Sequence, residues 1–287
     1  MTGITTAPFP LGDGIAARIV ECGGDAILWL HGYTLDASSF GELWSLLPGW
    51  SHLGVDLPGH GASRPFEAGE DLPSLARRLG RLAIERGVRH LIALSFGTII
   101  ATQIAVEYPT SFASLVLAAP SLAGGPQDAS VGQLYEELGR LYQERGPGPH
   151  LRSRWIRSPP GLFKGAARRP ELQRSLEALV DRHGWAELGD GTLKRLLAHP
   201  QSEADLRRIQ AATLILLGEE EFPAFRRCGE IIRRAVPGAK RIYLEGVGHL
   251  CLLEAPLQVQ GPIERHLREH ASALAGGSTG WLSRSSS

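Results

Sequence analysis

Short runs of apolar residues punctuate this chain, and each is followed by a turn signal. They fall at 26–30 (AILWL), 51–55 (SHLGV), 91–94 (LIAL), 115–118 (LVLA), 213–217 (TLILL) and 240–244 (KRIYL). Each has strand length, and several are apolar throughout instead of alternating, the pattern of parallel strands covered on both faces. Between them, apolar positions recur with helical period over 73–87, 97–108 and 224–235, the second stopped by Pro109. Strand and helix alternating in this way predict an α/β fold around a mostly parallel sheet. The alternation lapses between about 121 and 210, where 132–145, 170–182 and 191–198 have helical period and no strand pattern occurs. A helical insertion between two strands accounts for this lapse. The chain is thus expected to divide into a core of 1–120 and 211–273, an inserted helical unit of 121–210 and a low-complexity tail of 274–287, expected to be disordered.

Composition narrows the functional classes. A chain of 287 residues, 43% of them hydrophobic, is long enough to bury one sizeable core. Basic and acidic residues both number 30, so no net field favours nucleic acid or an anionic membrane. Arg152, Arg154, Arg157, Lys164, Arg168 and Arg169 follow one another in the insertion with no acidic residue among them. That run is expected to be a solvated basic face and not a docking surface. Cys22, Cys228 and Cys251 show no paired spacing, which implies a reducing compartment without a disulfide framework or zinc site. The first residues, MTGITTAPFP, lack the charged and apolar segments of a signal peptide, and no apolar run approaches the roughly 20 residues of a membrane span. The expectation is a cytoplasmic protein acting on a small molecule, with no nucleic acid or membrane partner; its oligomeric state is not written in these patterns.

Candidate chemistry starts at "LIALSFGTII", 91–100, where a strand pattern runs into Ser95 and at once into a helix pattern. A residue at so abrupt a corner is forced into a strained conformation that small neighbours must accommodate, here Ala93 and Gly97. The result is a G-x-S-x-G nucleophile elbow with Ala in the first place. The corner lifts the hydroxyl clear of the backbone beside a helix N-terminus, with its amide donors and partial positive charge. A serine hydroxyl needs a base within hydrogen-bond reach, and that base needs an orienting acid. Of ten histidines, His249 in "EGVGHLCLLEAP" lies just beyond the last strand pattern in a glycine-flanked loop. The acid is expected from "GEEEF", where Glu219, Glu220 and Glu221 follow the strand at 213–217. Any of the three gives the chain order Ser, acid, His.

These features together resemble the α/β-hydrolase superfamily. "LWLHGY" at 28–33 is similar to the family's strand ending in His-Gly, and "VDLPGHGAS" at 55–63 to its D-x-x-G-x-G-x-S turn. "LGEEE" at 217–221 resembles the strand followed by G-x-x-D, and "GVGHLCLLEAP" the G-x-G-H segment with its following L-E-x-P. The resemblance covers about 15–120 and 210–270. It implies an eight-stranded, mostly parallel sheet flanked by helices, with the insertion as a helical cap between the sixth and seventh strands.

The resemblance further implies Ser95 as nucleophile, His249 as base and Glu221, at the family's Asp position, as acid, with Glu220 as the alternative. The amides of Tyr33 and Phe96 would form an oxyanion hole. His31, His60 and Asp56 belong to structural turns in the same pattern, and Asp36 reads as a solvated loop residue. Leu134, Leu138, Leu141, Tyr135 and Tyr142 read as packing, and Trp155 and Phe163 as pocket walls. The implied activity is a serine hydrolase acting on a carboxylic ester, thioester or lactone without cofactor or metal. A carbon–carbon hydrolase, an acyl transferase or a cyclase on the same fold is the alternative, although carbon–carbon hydrolases often carry Trp where Leu250 follows the histidine. A non-catalytic binding protein would be expected to lack a triad member. Dehalogenases and epoxide hydrolases of this fold use Asp at the elbow and are disfavoured by Ser95.

Overall fold

The computed structural model describes residues 6–157 and 161–271. The expected disordered tail of 274–287 lies outside the described residues, as do Pro159 and Pro160. Eight strands form one sheet: β1 (Phe9–Gly12), β2 (Ile15–Val20), β3 (Ala26–Leu30), β4 (Ser51–Val55), β5 (Val88–Leu94), β6 (Ser114–Ala118), β7 (Ala212–Gly218) and β8 (Lys240–Leu244). Their order is β1-β2-β4-β3-β5-β6-β7-β8, antiparallel at β1–β2 and β2–β4 and parallel elsewhere. Strands β3, β5 and β6 lie inside the sheet, and their apolar runs 26–30, 91–94 and 115–118 are buried throughout, whereas Arg89 near the start of β5 is exposed. Edge strand β8 carries Lys240 and Arg241 and is mostly accessible, a composition that discourages edge-to-edge pairing.

Hydrophobic runs alone did not reveal the β1–β2 hairpin. β1 has only four residues and Arg18 interrupts β2, so neither shows a continuous apolar stretch. The signal they do carry is Asp13–Gly14 between them, both at positive φ (49° and 74°), the two-residue turn whose twist matches a hairpin.

The helices fall into two packed groups. Leu72–Glu85, Phe96–Glu107 and Pro223–Ala235 belong to one, and Gly41–Leu46 with Pro256–Glu269 to the other. Helix Leu72–Glu85 starts where the Asp71 carboxylate accepts the Ser74 amide at 2.9 Å, with Pro73 in its first turn. Between β6 and β7 the chain is helical, including Ala129–Arg145, Pro149–Ile156, Pro170–Arg182, Ala186–Gly189 and Thr192–Leu197. The expected basic face does not persist there. Arg152 pairs with Asp181, Arg154 with Glu137, Arg168 with Glu220 and Arg169 with Glu42. Folding supplies acidic partners that are distant in sequence, and the last two pairs tie the insertion to the core.

Strand register sets the position of the site. Leu30 of β3 lies opposite Ala93 of β5, and Leu94 opposite Ala118 of β6. The residues that follow these strands therefore emerge together at the carboxyl edge of the sheet, where ligands of such sheets bind. Helix Phe96–Glu107 approaches that edge closely: a Cβ at Gly97 would stand 2.5 Å from the Leu30 carbonyl oxygen and 2.6 Å from that of His31. Gly97→Ala is expected to lower stability by about 1–3 kcal/mol, because backbone carbonyls cannot rotate aside as side chains do. The check is a urea midpoint that falls at constant slope; a wild-type midpoint would contradict this packing.

Candidate active site

Ser95 is the single residue between β5 and helix Phe96–Glu107, with φ 52° and ψ −120°. L-residues rarely occupy this region, and such strain persists only where the surroundings enforce it. The Ser95 amide donates to the Ala118 carbonyl at 2.9 Å, extending the β5–β6 ladder by one residue. The Thr98 hydroxyl donates to the Ser95 carbonyl and accepts the Ser121 amide at 2.9 Å. Thr98, larger than the residues usual at such a corner, thus braces it. A serine in this position ordinarily caps the helix it precedes. Ser95 makes no such bond, and its Oγ lies instead 2.8 Å from His249 Nε2. The first amides of the helix have no intrahelical acceptor and stand beside the hydroxyl at the positive end of the helix dipole.

His249 follows β8 in a buried loop, and its Nδ1 lies 2.9 and 3.1 Å from the two carboxylate oxygens of Glu221. These partners fix the ring: Nδ1–H donates to the carboxylate, which leaves the Nε2 lone pair for the Ser95 hydroxyl. The three consecutive glutamates diverge. Glu219 accepts the Gly246 amide at 3.3 Å, and Glu220 turns outward to Arg168 at 2.9 Å. Glu221 turns inward, is buried, and also accepts the Phe222 amide at 2.8 Å. The structure therefore joins Ser95, His249 and Glu221 and leaves Glu220 out.

Glu254, part of the quoted motif but given no role from sequence, holds the loop around His249. Its carboxylate accepts the amides of Gly248 at 2.7 Å and Leu250 at 3.0 Å, the residues on either side of the histidine. Burial pushes its pKa up, while those two amides favour the ionised form.

Ser95, His249 and Leu250 border a cavity of about 790 Å³. Gly32, Tyr33 and Phe96 border it as well, and a Cβ on Gly32 would lie 3.5 Å from the Ser95 Cβ, so the 32–33 backbone passes directly against the serine. Trp155 and Phe163 line it as expected, joined by Tyr135, which sequence had assigned to packing. His31 has both nitrogens engaged, Nδ1–H to the Gly32 carbonyl and Nε2 accepting the Leu57 amide, each at 2.9 Å. Burial lowers its pKa, consistent with a neutral structural ring. Asp56 accepts the amides of Ala37 and Ala62 at 2.9 Å, which fixes its turn. Asp36 departs from the expected solvated residue: it is buried, accepts the Ser38 amide at 2.8 Å and pairs with Arg182 at 2.9 Å.

Sequence reasoning missed Glu187, which lines the cavity from helix Ala186–Gly189. It is 3% exposed, and one of its oxygens accepts from both Tyr33 Oη and His183 Nε2. A lone glutamate in "WAELG" reads as solvated; only the fold brings its donors to it.

Comparisons with known proteins place the chain by family and fold. Over 115 residues the chain is 35% identical to the dihydrolipoyllysine-residue acetyltransferase component of an acetoin cleaving system from Cupriavidus necator. That alignment covers 38% of this chain and 30% of the relative, so the chain spans under a third of that protein's length. It is 28% identical over 209 residues to a 2-succinyl-6-hydroxy-2,4-cyclohexadiene-1-carboxylate synthase from Klebsiella pneumoniae, covering 71% of this chain and 76% of the relative. The structure of a thermophilic esterase from Thermogutta terrifontis has the same fold, with a TM-score of 0.74 at 22% identity over 90% of this chain and 95% of that one. Among the described residues no helix is long and apolar enough to cross a membrane, and all three cysteines are free. Residues 27–259, spanning the strands and loops that carry Ser95, Glu221 and His249, match the alpha/beta hydrolase family, and the chain belongs to it.

Proposed function

We propose that this protein is a serine hydrolase cleaving hydrophobic carboxylic esters through an acyl-enzyme, with Ser95 as nucleophile, His249 as base and Glu221 as orienting acid. The observation that carries this reading is the hydrogen-bonded line Glu221–His249–Ser95, with links of 2.9 and 2.8 Å, ending at the cavity. His249 Nε2 takes the proton as Ser95 Oγ attacks the carbonyl, and Glu221 stabilises the imidazolium that forms. The amides of Tyr33 and Phe96 receive the negative oxygen, each such donor supplying roughly 3 kcal/mol of transition-state stabilisation. His249 returns the proton to the leaving alcohol and then activates the water that releases the acid. This chemistry draws on protein groups and water alone.

The helices of 121–210 act as a cap that walls the acyl or alcohol pocket. Leu162, Phe163, Leu193 and Leu197 give that pocket an apolar lining, suited to a hydrocarbon chain. The alternative reading, an enzyme of the kind named for the Klebsiella relative, involves a carboxylate-bearing molecule. The described residues lining this cavity include the acids Asp128, Glu136 and Glu187 against Lys194 as the single lysine or arginine. That balance favours a neutral substrate.

Ser95→Ala and His249→Ala are each expected to reduce ester turnover on the order of 10⁴-fold or more with the fold intact by circular dichroism. Wild-type turnover in Ser95→Ala would end the proposal. Glu221→Ala should lose on the order of 10³–10⁴-fold, whereas Glu220→Ala, which breaks an exposed pair with Arg168, should leave turnover nearly unchanged; equal losses would overturn the choice of acid. Across p-nitrophenyl esters, kcat/KM should rise about fourfold for each methylene buried in the pocket, from about 0.8 kcal/mol apiece, before levelling off. A maximum at acetate would contradict the apolar pocket.

A further inference from the structure

We infer that Glu187, on the cap, is a positioning residue that holds the Tyr33 amide in place as an oxyanion donor. The inference rests on the reading of Ser95 as nucleophile and of Tyr33 as one of the two donors.

The loop that carries this amide is fastened from the cap at three points. Tyr33 Oη donates to Glu187 Oε1 at 2.5 Å, and His183 Nε2 gives the same oxygen a second bond at 2.9 Å. Trp155 Nε1 donates to Thr34 Oγ1 at 2.8 Å, and Arg182 pairs with Asp36 at 2.9 Å. Residues 33, 34 and 36 are thus each bonded to the inserted helices. Thr34 sits at φ 65°, a left-handed conformation that a β-branched residue adopts only under constraint. The loop shape that presents the Tyr33 amide to the serine is therefore one that the chain would leave if released.

The Tyr33 ring transmits the hold. It packs against Trp155, Tyr135 and His183 of the cap at centroid distances of 5.3, 5.4 and 5.5 Å, and against Phe96, the other donor residue, at 6.1 Å. Burial and the neighbouring Glu187 carboxylate raise the Tyr33 pKa well above its ordinary value, so the hydroxyl stays a donor across the working pH range. Glu187 Oε2 is buried with no hydrogen-bond partner among the described residues. A carboxylate buried on those terms is costly, and an apolar residue of similar volume would serve packing better. Its contribution runs through Oε1, which accepts from Tyr33 Oη and from His183 Nε2.

The test is the rate at which an alkyl fluorophosphonate modifies Ser95. The Oγ–P bond forms, the P–F bond breaks, fluoride leaves, the serine proton passes to His249, and the phosphoryl oxygen occupies the oxyanion position. Glu187→Ala and Tyr33→Phe are each expected to lower the saturating rate about tenfold or more, part of the 10²–10³-fold lost with a whole donor, while half-saturation changes little. The double variant should be no slower than the worse single, and Glu187→Gln, which keeps an acceptor for Tyr33, should recover most of the rate. Arg152→Ala, which breaks an ion pair within the cap, should react at the wild-type rate. A merely structural Glu187 predicts a lower melting temperature with an unchanged saturating rate, and that result, or additive losses in the double variant, would overturn the inference. Should Glu187→Ala fail to fold, Tyr33→Phe and Glu187→Gln decide by the same criteria. Wild-type protein unreactive at Ser95 would remove the underlying reading as well; reactivity at Ser95 with wild-type rates in Glu187→Ala and Tyr33→Phe would remove only the positioning role.

Discussion

A serine held at φ 52° costs the chain on the order of 1–3 kcal/mol, and the structure around Ser95 is arranged to keep it there. Strand β5 cannot shift, because β3 and β6 pair with it on both sides. The helix that follows comes in close because Gly97, lacking a Cβ, seats it against the carbonyls of Leu30 and His31. Thr98 and the Ala118 carbonyl secure the backbone between them. Everything else at the site follows from where this corner places one hydroxyl: in front of a helix N-terminus, beside the 32–33 backbone, and within reach of a loop from the far side of the sheet.

Three buried glutamates organise the groups around that hydroxyl, each through a different partner. Glu221 receives the His249 ring, Glu254 the amides on either side of that histidine, and Glu187 the Tyr33 hydroxyl. Each meets donors that burial would otherwise leave unsatisfied, which is how a low-dielectric interior tolerates carboxylates at all. The exposed arginines of the insertion contribute differently. Arg168 and Arg169 reach Glu220, Glu42 and the carbonyls of Gly246 and Leu253, so they fasten the inserted helices to loops of the core. Screened by solvent, each such pair adds little stability, and their value is orientation.

What the sequence made legible follows the physics of each signal. The central parallel strands announced themselves as continuous apolar runs because both faces are buried, and the abrupt passage from LIAL to FGT marked Ser95. The β1–β2 hairpin escaped that criterion because β1 has only four residues and Arg18 interrupts β2; Asp13–Gly14 carried a local cue. Glu219, Glu220 and Glu221 were equivalent as letters, and only the turn of the loop separates a carboxylate facing His249 from one facing Arg168. Asp36, the arginines of the insertion and Glu187 were misread or missed for one reason: each has a partner on another element that the fold alone brings near, where periodicity carries no information.

The measurement closest to the centre of this account is peptide mapping by mass spectrometry after reaction of the wild-type protein with an alkyl fluorophosphonate. A stoichiometric adduct on Ser95, absent once the protein is unfolded before treatment, is the predicted result, since the proposed reactivity depends on the strained corner and its hydrogen-bonded histidine. Label on another residue, or none on the folded protein, would contradict the assignment of Ser95 as an activated nucleophile.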